Sequence, residues 1–361
     1  MNTTNDQKDF QDERIGKRRN CLGCLGRGAI GLMILLVVVL MAGLIYQSTA
    51  SANDLKYYPP PGELYDLGDY KLHLYCIGEG SPTVILEAGS GLPAMTWYLV
   101  QKEIEGFARV CSYDRPGYGW SDPASDPLSP AQVATDLHKL LEIAQVPGPY
   151  ILVGHSAGGY YVRAYTNQYP SEVVGMVLVD AAYEQQDLLY PPEYLKLMNN
   201  SAAILPLCKI MAPFGGMRIM KILNALIPAN LMPAEVEEAF LSTIHRTSYC
   251  KSMANETEAV ASFRSHPDLP NSLGDLPLIV LSAGIAADEV YTQMGGAKSG
   301  ISREVYAKVY EANQEIQKEL ASLSTQGQQV IATKSGHMVH YSQPDLVIYA
   351  IQTIVEQVHG R

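Results

Sequence analysis

The sequence predicts an α/β protein: a mostly parallel eight-stranded sheet with helices on both faces and a helical insertion between strands 6 and 7. Three observations predict it. Strand-like apolar runs alternate with helical patterns after an initial hairpin. One run, Tyr150–Val153, leads through Gly154-His-Ser156-Ala-Gly158 directly into a helical pattern. A long segment, Tyr183 to Ser272, holds no convincing strand and is rich in Met, Leu, Ile and Pro, yet it lies between two sheet strands.

At the N-terminus, Arg14, Lys17, Arg18, Arg19 and Arg27 form a basic cluster (residues 1–28, read as a cytoplasmic tail). Ala29 to Tyr46 follows, 18 residues without a charge. As a helix it is about 27 Å long, enough to cross a hydrocarbon core. Residues 29–47 are therefore expected to be a single membrane span with the N-terminus inside and the large domain outside the cytoplasm. A signal peptide cleaved near Ala52, giving a secreted protein, is the competing reading. Residues 48–61, polar and ending in Pro59-Pro60-Pro61, read as a linker.

The hairpin comes next, Glu63–Leu67 and Tyr70–Ile77 around Gly68-Asp69. Strands are expected at Thr83–Glu87, Ala108–Tyr113, Tyr150–Val153, Val173–Val179, Leu276–Ser282 and Gln328–Ala332. Helices are expected at Ala94–Gly106, Pro130–Ala144, Gly158–Tyr169, Arg303–Ser322 and Asp345–Val358. The core is thus 62–182 with 273–361, and 183–272 is a helical cap above the carboxyl edge of the sheet. Met211, Met217, Met220 and Met232 suit either the cap's own packing or the wall of an acyl pocket, where the cap could also touch a bilayer.

Composition limits function. The chain of 361 residues is 47% hydrophobic and 17% charged, with a net charge of −11. Beyond Gln47 there are 33 acids against 20 bases, which argues against nucleic-acid binding. Cys21 and Cys24 precede the span, and two cysteines do not make a zinc site. Cys76, Cys111, Cys208 and Cys250 lie beyond it, where disulfides persist, but spacing assigns no pairing.

Chemistry centres on Ser156. A serine at the apex of a strand–turn–helix elbow is exposed at a helix N-terminus, where backbone N–H groups favour a developing oxyanion. Glycines two before and two after it avoid collision with the neighbouring strand and helix. A serine hydroxyl needs a base, and the base an orienting acid. His337, in Ser335-Gly-His337, is preferred as base over His340. Asp180, at the end of a central strand, is preferred as acid, with Asp288, in the longer loop after Ser282, as the alternative.

Together these stretches resemble the α/β-hydrolase superfamily across nearly all of residues 62–359. The resemblance is carried by Leu86-Glu-Ala-Gly-Ser-Gly91 before Trp97, by Ser112-Tyr-Asp-Arg-Pro-Gly-Tyr-Gly-Trp-Ser121, by Gly154–Gly159 and by Ser335-Gly-His337. It implies the α/β-hydrolase fold, a serine hydrolase of the carboxylesterase or lipase kind, and oxyanion donors at the N–H groups of Ser90 and Ala157. Members with an aspartate nucleophile are disfavoured by Ser156. Where the family carries His-Gly before the oxyanion residue, Ala88-Gly89 stands here, so that histidine's side-chain support is missing. The Asp114–Gly119 turn is structural in the family. No metal or organic cofactor is implied. The expected partners are a small-molecule or lipid ester and, through the N-terminal helix, a membrane. An aminopeptidase, thioesterase or acyltransferase of the same fold, or a catalytically silent binding module, are the alternatives.

Overall fold

The computed structural model describes residues 4–124, 128–202, 205–221, 223, 232–263, 269–293, 296 and 300–360, with side chains from Arg27 onward except at 199–202, 261–262 and 293. The basic cluster before Arg27, together with Cys21 and Cys24, falls outside the described side chains. Helix α1 runs unbroken from Thr4–Tyr57. Within it, Arg27–Tyr57 is long and apolar enough to cross a membrane, its most apolar 18-residue window having a mean hydropathy of 2.8. The expected linker at 48–61 is corrected, because its first ten residues continue the helix. They contain neither Gly nor Pro, so nothing interrupts the backbone pattern before Pro59.

Eight strands follow: β1 (Glu63–Asp66), β2 (Lys71–Ile77), β3 (Thr83–Glu87), β4 (Val110–Tyr113), β5 (Tyr150–His155), β6 (Val173–Val179), β7 (Leu278–Ala283) and β8 (Gly327–Ala332). Their order is β1-β2-β4-β3-β5-β6-β7-β8. The pairs β1–β2 and β2–β4 are antiparallel and the rest parallel. This is the mostly parallel sheet the strand runs predict.

The central strands read as continuous apolar runs because helices cover both faces. Val84, Leu86, Ile151, Val153, Ile279 and Leu281 point to one face, packed with Val100 and Ile104 of α2 (Tyr98–Ile104) and Val347, Ile351 and Ile354 at the chain's C-terminal helix. The residues between them, Ile85, Leu152, Leu278 and Val280, point to the other. There they meet α3 (Pro130–Ile143) and α4 (Gly158–Gln168). Ser129 caps α3 by accepting from Gln132 N–H, with Pro130 at its first position. Cys76 and Cys111 are direct partners across β2 and β4 and form a disulfide.

Between β6 and β7 lie six described helices: α5 (Gln186–Leu189), α6 (Pro192–Ala202), α7 (Leu205–Met211), α8 (Gly216–Met220), α9 (Ala234–Ile244) and α10 (Thr247–Ser262). They hold a small core of their own, including Met217, Met232, Phe240, Ile244 and Tyr249, closed by a second disulfide, Cys208–Cys250. After β7 come α11 (Ala287–Gln293) and α12 (Arg303–Ser322), and after β8 come α13 (Val339–Ser342) and α14 (Pro344–His359).

The Cys208–Cys250 bridge closes a loop with a sequence separation of 42. Replacing both cysteines by serine is expected to destabilise the insertion by about 2–4 kcal/mol. Thermal unfolding of the double variant under non-reducing conditions checks this.

Candidate active site

Strand β5 ends at His155, and the chain turns at Ser156 with φ +50° before entering α4. Such a left-handed conformation at a non-glycine residue is strained and is held by its surroundings. Ser156 N–H donates to Val179 O at 3.2 Å, and Ser156 O accepts from Ala182 N–H at 2.9 Å, so both sides of the bend are tied to the end of β6. A side chain at Gly154 would sit 2.7 Å from Gly158 O, and one at Gly158 would sit 2.6 Å from Glu87 O. These are the collisions that the two glycines avoid.

His337 lies in the loop between β8 and α13. Its Nδ1 is 2.7 Å from Asp180 Oδ2. Asp180 directly follows β6, itself at φ +41°, and its other oxygen accepts from Ala283 N–H at 2.8 Å and from Asn313 Nδ2 at 2.9 Å. The carboxylate is 5% exposed. Asp288 is placed elsewhere. It stands on α11, largely exposed, and pairs with Arg303 at 2.8 Å. Ser156, Asp180 and His337 line one cavity of about 560 Å³, with Ser90 and Ala157 on its wall. Among the described residues, neither the Ser90 nor the Ala157 backbone N–H has a hydrogen-bond acceptor.

The outer walls are apolar and tyrosine-rich. Tyr194 and Met198 come from α6, and Val260 from α10. Tyr306, Val309 and Tyr310 come from α12, which the sequence pattern assigns to the core rather than over the site. Of the methionines singled out, Met217 and Met232 are buried in the insertion's own core, Met211 packs against it, and Met220 is half exposed. Of the two readings offered for these methionines, the cap's own packing is the one their burial agrees with; the cavity wall is instead made of aromatic and β-branched side chains with Met198.

His340 is fully buried, and neither of its ring nitrogens has a partner among the described residues. It packs on Trp97 and on His155, with ring centroids 4.7 and 4.4 Å away. Burial, followed by the neighbouring His337, pushes its pKa down to about 3. Burial also holds His155 well below the usual imidazole range. His155 Nε2 lies 3.1 Å from His337 O, so this neutral ring donates to the backbone of the loop that carries His337.

The missing support of the Ser90 loop comes from a buried charge cluster. Arg115 donates to Ala88 O and Gly89 O, each at 2.7 Å, and to Glu87 at 2.6 Å. From α10, Glu256 accepts from Arg115 Nε at 3.0 Å, Ser90 Oγ at 2.9 Å and Gly91 N–H at 2.9 Å. It also accepts from Tyr118 and Tyr161 hydroxyls at 2.5 and 2.8 Å. Burial alone would raise the Glu256 pKa, but Arg115 and these donors outweigh it and hold it low. Burial does win at Glu87, which is pushed up to about 7 against the pull of Arg115 and Tyr113. Gly89 is required because a Cβ there would lie 2.8 Å from His155 Nδ1. Below the loop, Asp114 accepts from Ala94 N–H at 2.7 Å and Trp120 N–H at 3.1 Å and faces His73 Nδ1 at 2.7 Å, which fixes the turn that presents Arg115.

Glu256 and Asn313 carried no sequence signal. Each is one polar residue in a helix of many. Among the described residues, no group of three His, Cys, Asp or Glu side chains is placed to hold a metal ion.

The profile described as "Alpha/beta hydrolase family" matches residues 84–350. An uncharacterized protein of Schizosaccharomyces pombe is 37% identical over 155 residues, 35% of this chain and 29% of that one. A probable transporter of Hormonema carpetanum is 27% identical over 323 residues, 82% of this chain and 43% of that one. The chain therefore spans less than half the length of these two curated relatives. A thermophilic esterase from Thermogutta terrifontis superposes with a TM-score of 0.58 at 19% identity, covering 82% of this chain and 96% of that one.

Two outcomes are expected. Glu256→Gln removes one of the two carboxylates that pair with Arg115 and should cost about 3–5 kcal/mol of stability, read by chemical denaturation. In the pH dependence of stability, His340 takes up a proton near pH 6.5 when unfolded but only near 3 when folded. Its contribution is thus complete above pH 6.5 and lost as the pH falls toward 3, at about 1.4 kcal/mol per pH unit. His340→Phe should flatten the acid limb of the stability curve by that slope.

Proposed function

Because the chain belongs to the alpha/beta hydrolase family, we propose that it is a serine hydrolase that cleaves carboxylic esters through an acyl-enzyme, held at a membrane by α1 with the N-terminus cytoplasmic and the catalytic domain outside. The observation that carries this reading is the 2.7 Å contact of His337 Nδ1 with Asp180, at the cavity that Ser156 also lines.

With Nδ1–H donated to Asp180, Nε2 is left as an acceptor. Ser156 Oγ attacks the acyl carbon while its proton passes to His337 Nε2. Asp180 stabilises the imidazolium and holds its orientation. The carbonyl oxygen becomes an oxyanion facing the N–H groups of Ser90 and Ala157, where a donor contributes most because charge appears only in the transition state. His337 then returns the proton to the departing alkoxide, and the C–O bond to the alcohol breaks. Water, deprotonated by the same nitrogen, releases the acid and restores Ser156.

Geometry favours Asp180 over Asp288 as the acid. Asp180 is buried and held by three groups, whereas Asp288 is exposed and paired with Arg303. The apolar, tyrosine-rich cavity suits an ester with an apolar acyl or alcohol part, and the likeness to an esterase agrees with it. Residues 183–272 act as the cap, joined over the site by α12.

A fluorophosphonate probe tests the proposal. The wild-type chain should be labelled, and Ser156→Ala should abolish labelling. His337→Ala and Asp180→Asn should slow it by about 10³–10⁴-fold, and Asp288→Asn should leave it unchanged. Equal labelling of Ser156→Ala, or none of the wild type, overturns the reading.

A further inference from the structure

The first helix does more than lead into the domain. Among the described residues of α1, those withdrawn from solvent are Leu40, Gly43, Gln47, Ala50, Ser51 and Asp54, which recur at helical spacing, so one stripe of the helix is covered by protein. The covering element is the turn Ala212–Phe214 between α7 and α8. A Cβ at Gly43 would lie 2.8 Å from Phe214 O, and one at Gly215 would lie 2.6 Å from the Tyr46 ring. Gln47 marks where polar contacts begin. It is buried, and its Nε2 donates to His245 O at 2.8 Å. Further along, Asp54 pairs with Arg218 of α8 at 2.6 Å.

The apolar run of α1 ends at Tyr46, and Leu40 lies six residues earlier. The cap therefore overlaps the last stretch of that run by about 9 Å. On this corner of the cap, Leu207 and Ile210 of α7 and Ile219 and Met220 of α8 are 46%, 66%, 68% and 50% exposed. Helix α7 is apolar on both sides, since Leu205 and Cys208 fill the core while Leu207 and Ile210 face out. An outward apolar face at this height has one neighbour of matching chemistry, the hydrocarbon that surrounds Ile34 to Ile45. Lys209 and Lys221, both exposed at the ends of these two helices, suit the head-group level above it.

We infer that the edge of the cap formed by α7, the turn Ala212–Phe214 and α8 is seated in the bilayer beside α1, with Leu207, Ile210, Ile219 and Met220 among the acyl chains. This rests on the proposal that α1 spans the membrane. It gives the domain a fixed height and tilt over the bilayer and puts the cap against the phase that stores lipid esters.

Tryptophan fluorescence of the full chain in phosphatidylcholine bilayers with brominated acyl chains tests it. Native Trp97 and Trp120 are buried and supply the baseline. Ile219→Trp should lose its added fluorescence in shallowly brominated lipid as fully as Leu36→Trp does in deeply brominated lipid. Tyr349→Trp, exposed on α14, should lose none. Quenching at position 36 without quenching at position 219 overturns the docked cap and leaves the span intact. Absence of quenching at both positions overturns the span and the docked cap together.

Discussion

The fold above the sheet is organised around one buried ion cluster. Arg115 reaches it from the turn after β4, Glu87 from the end of β3 and Glu256 from α10. A guanidinium out of water is tolerated only when its donors are all met by well-placed acceptors. Here they are met by two carboxylates and by the carbonyls of Ala88 and Gly89. Satisfying Arg115 therefore fixes the backbone that carries Ser90. The same requirement clamps the insertion onto the sheet, because Glu256 belongs to the insertion. Loss of that clamp would loosen the cap and the Ser90 loop as one unit.

A second constraint acts from below. The bend at Ser156 stays in its left-handed conformation because Gly154, Gly158 and Gly89 let the helix, the neighbouring strand and the Ser90 loop approach within contact of it. His155, one residue earlier, packs against His340 and Trp97 and supports the His337 loop through a backbone carbonyl. Three distant pieces of chain thus press on the same few atoms. Preorganisation of this kind is what the proposed hydrolysis requires, since donors already aimed need no reorganisation when charge develops.

Much of this was legible in the residues. Continuous apolar runs such as Val173–Val179 can be satisfied only with helices on both faces, and the Gly-x-Ser-x-Gly turn by itself puts Ser156 at the elbow. Ser335-Gly-His337 and Asp180 could be named from their positions relative to the last and sixth strands. The end of α1 was misjudged because Ser, Ala and Asn are read as linker composition, whereas packing on the cap keeps them helical. The role of α12 was missed because amphipathic periodicity says that a helix has a buried side but not what it covers.

Local pattern therefore settled the order of elements, the turn that carries Ser156 and the short menu of partners for it. Those properties depend on neighbours a few residues apart, through backbone sterics and periodic burial. The choice between Asp180 and Asp288, the pairing of the cysteines, the support that Arg115 and Glu256 lend to the Ser90 loop and the seating of the cap against α1 depend on groups dozens to hundreds of residues apart. Hydrogen bonds and desolvation act over a few ångströms, and sequence distance carries no information about which groups come that close once the sheet is assembled.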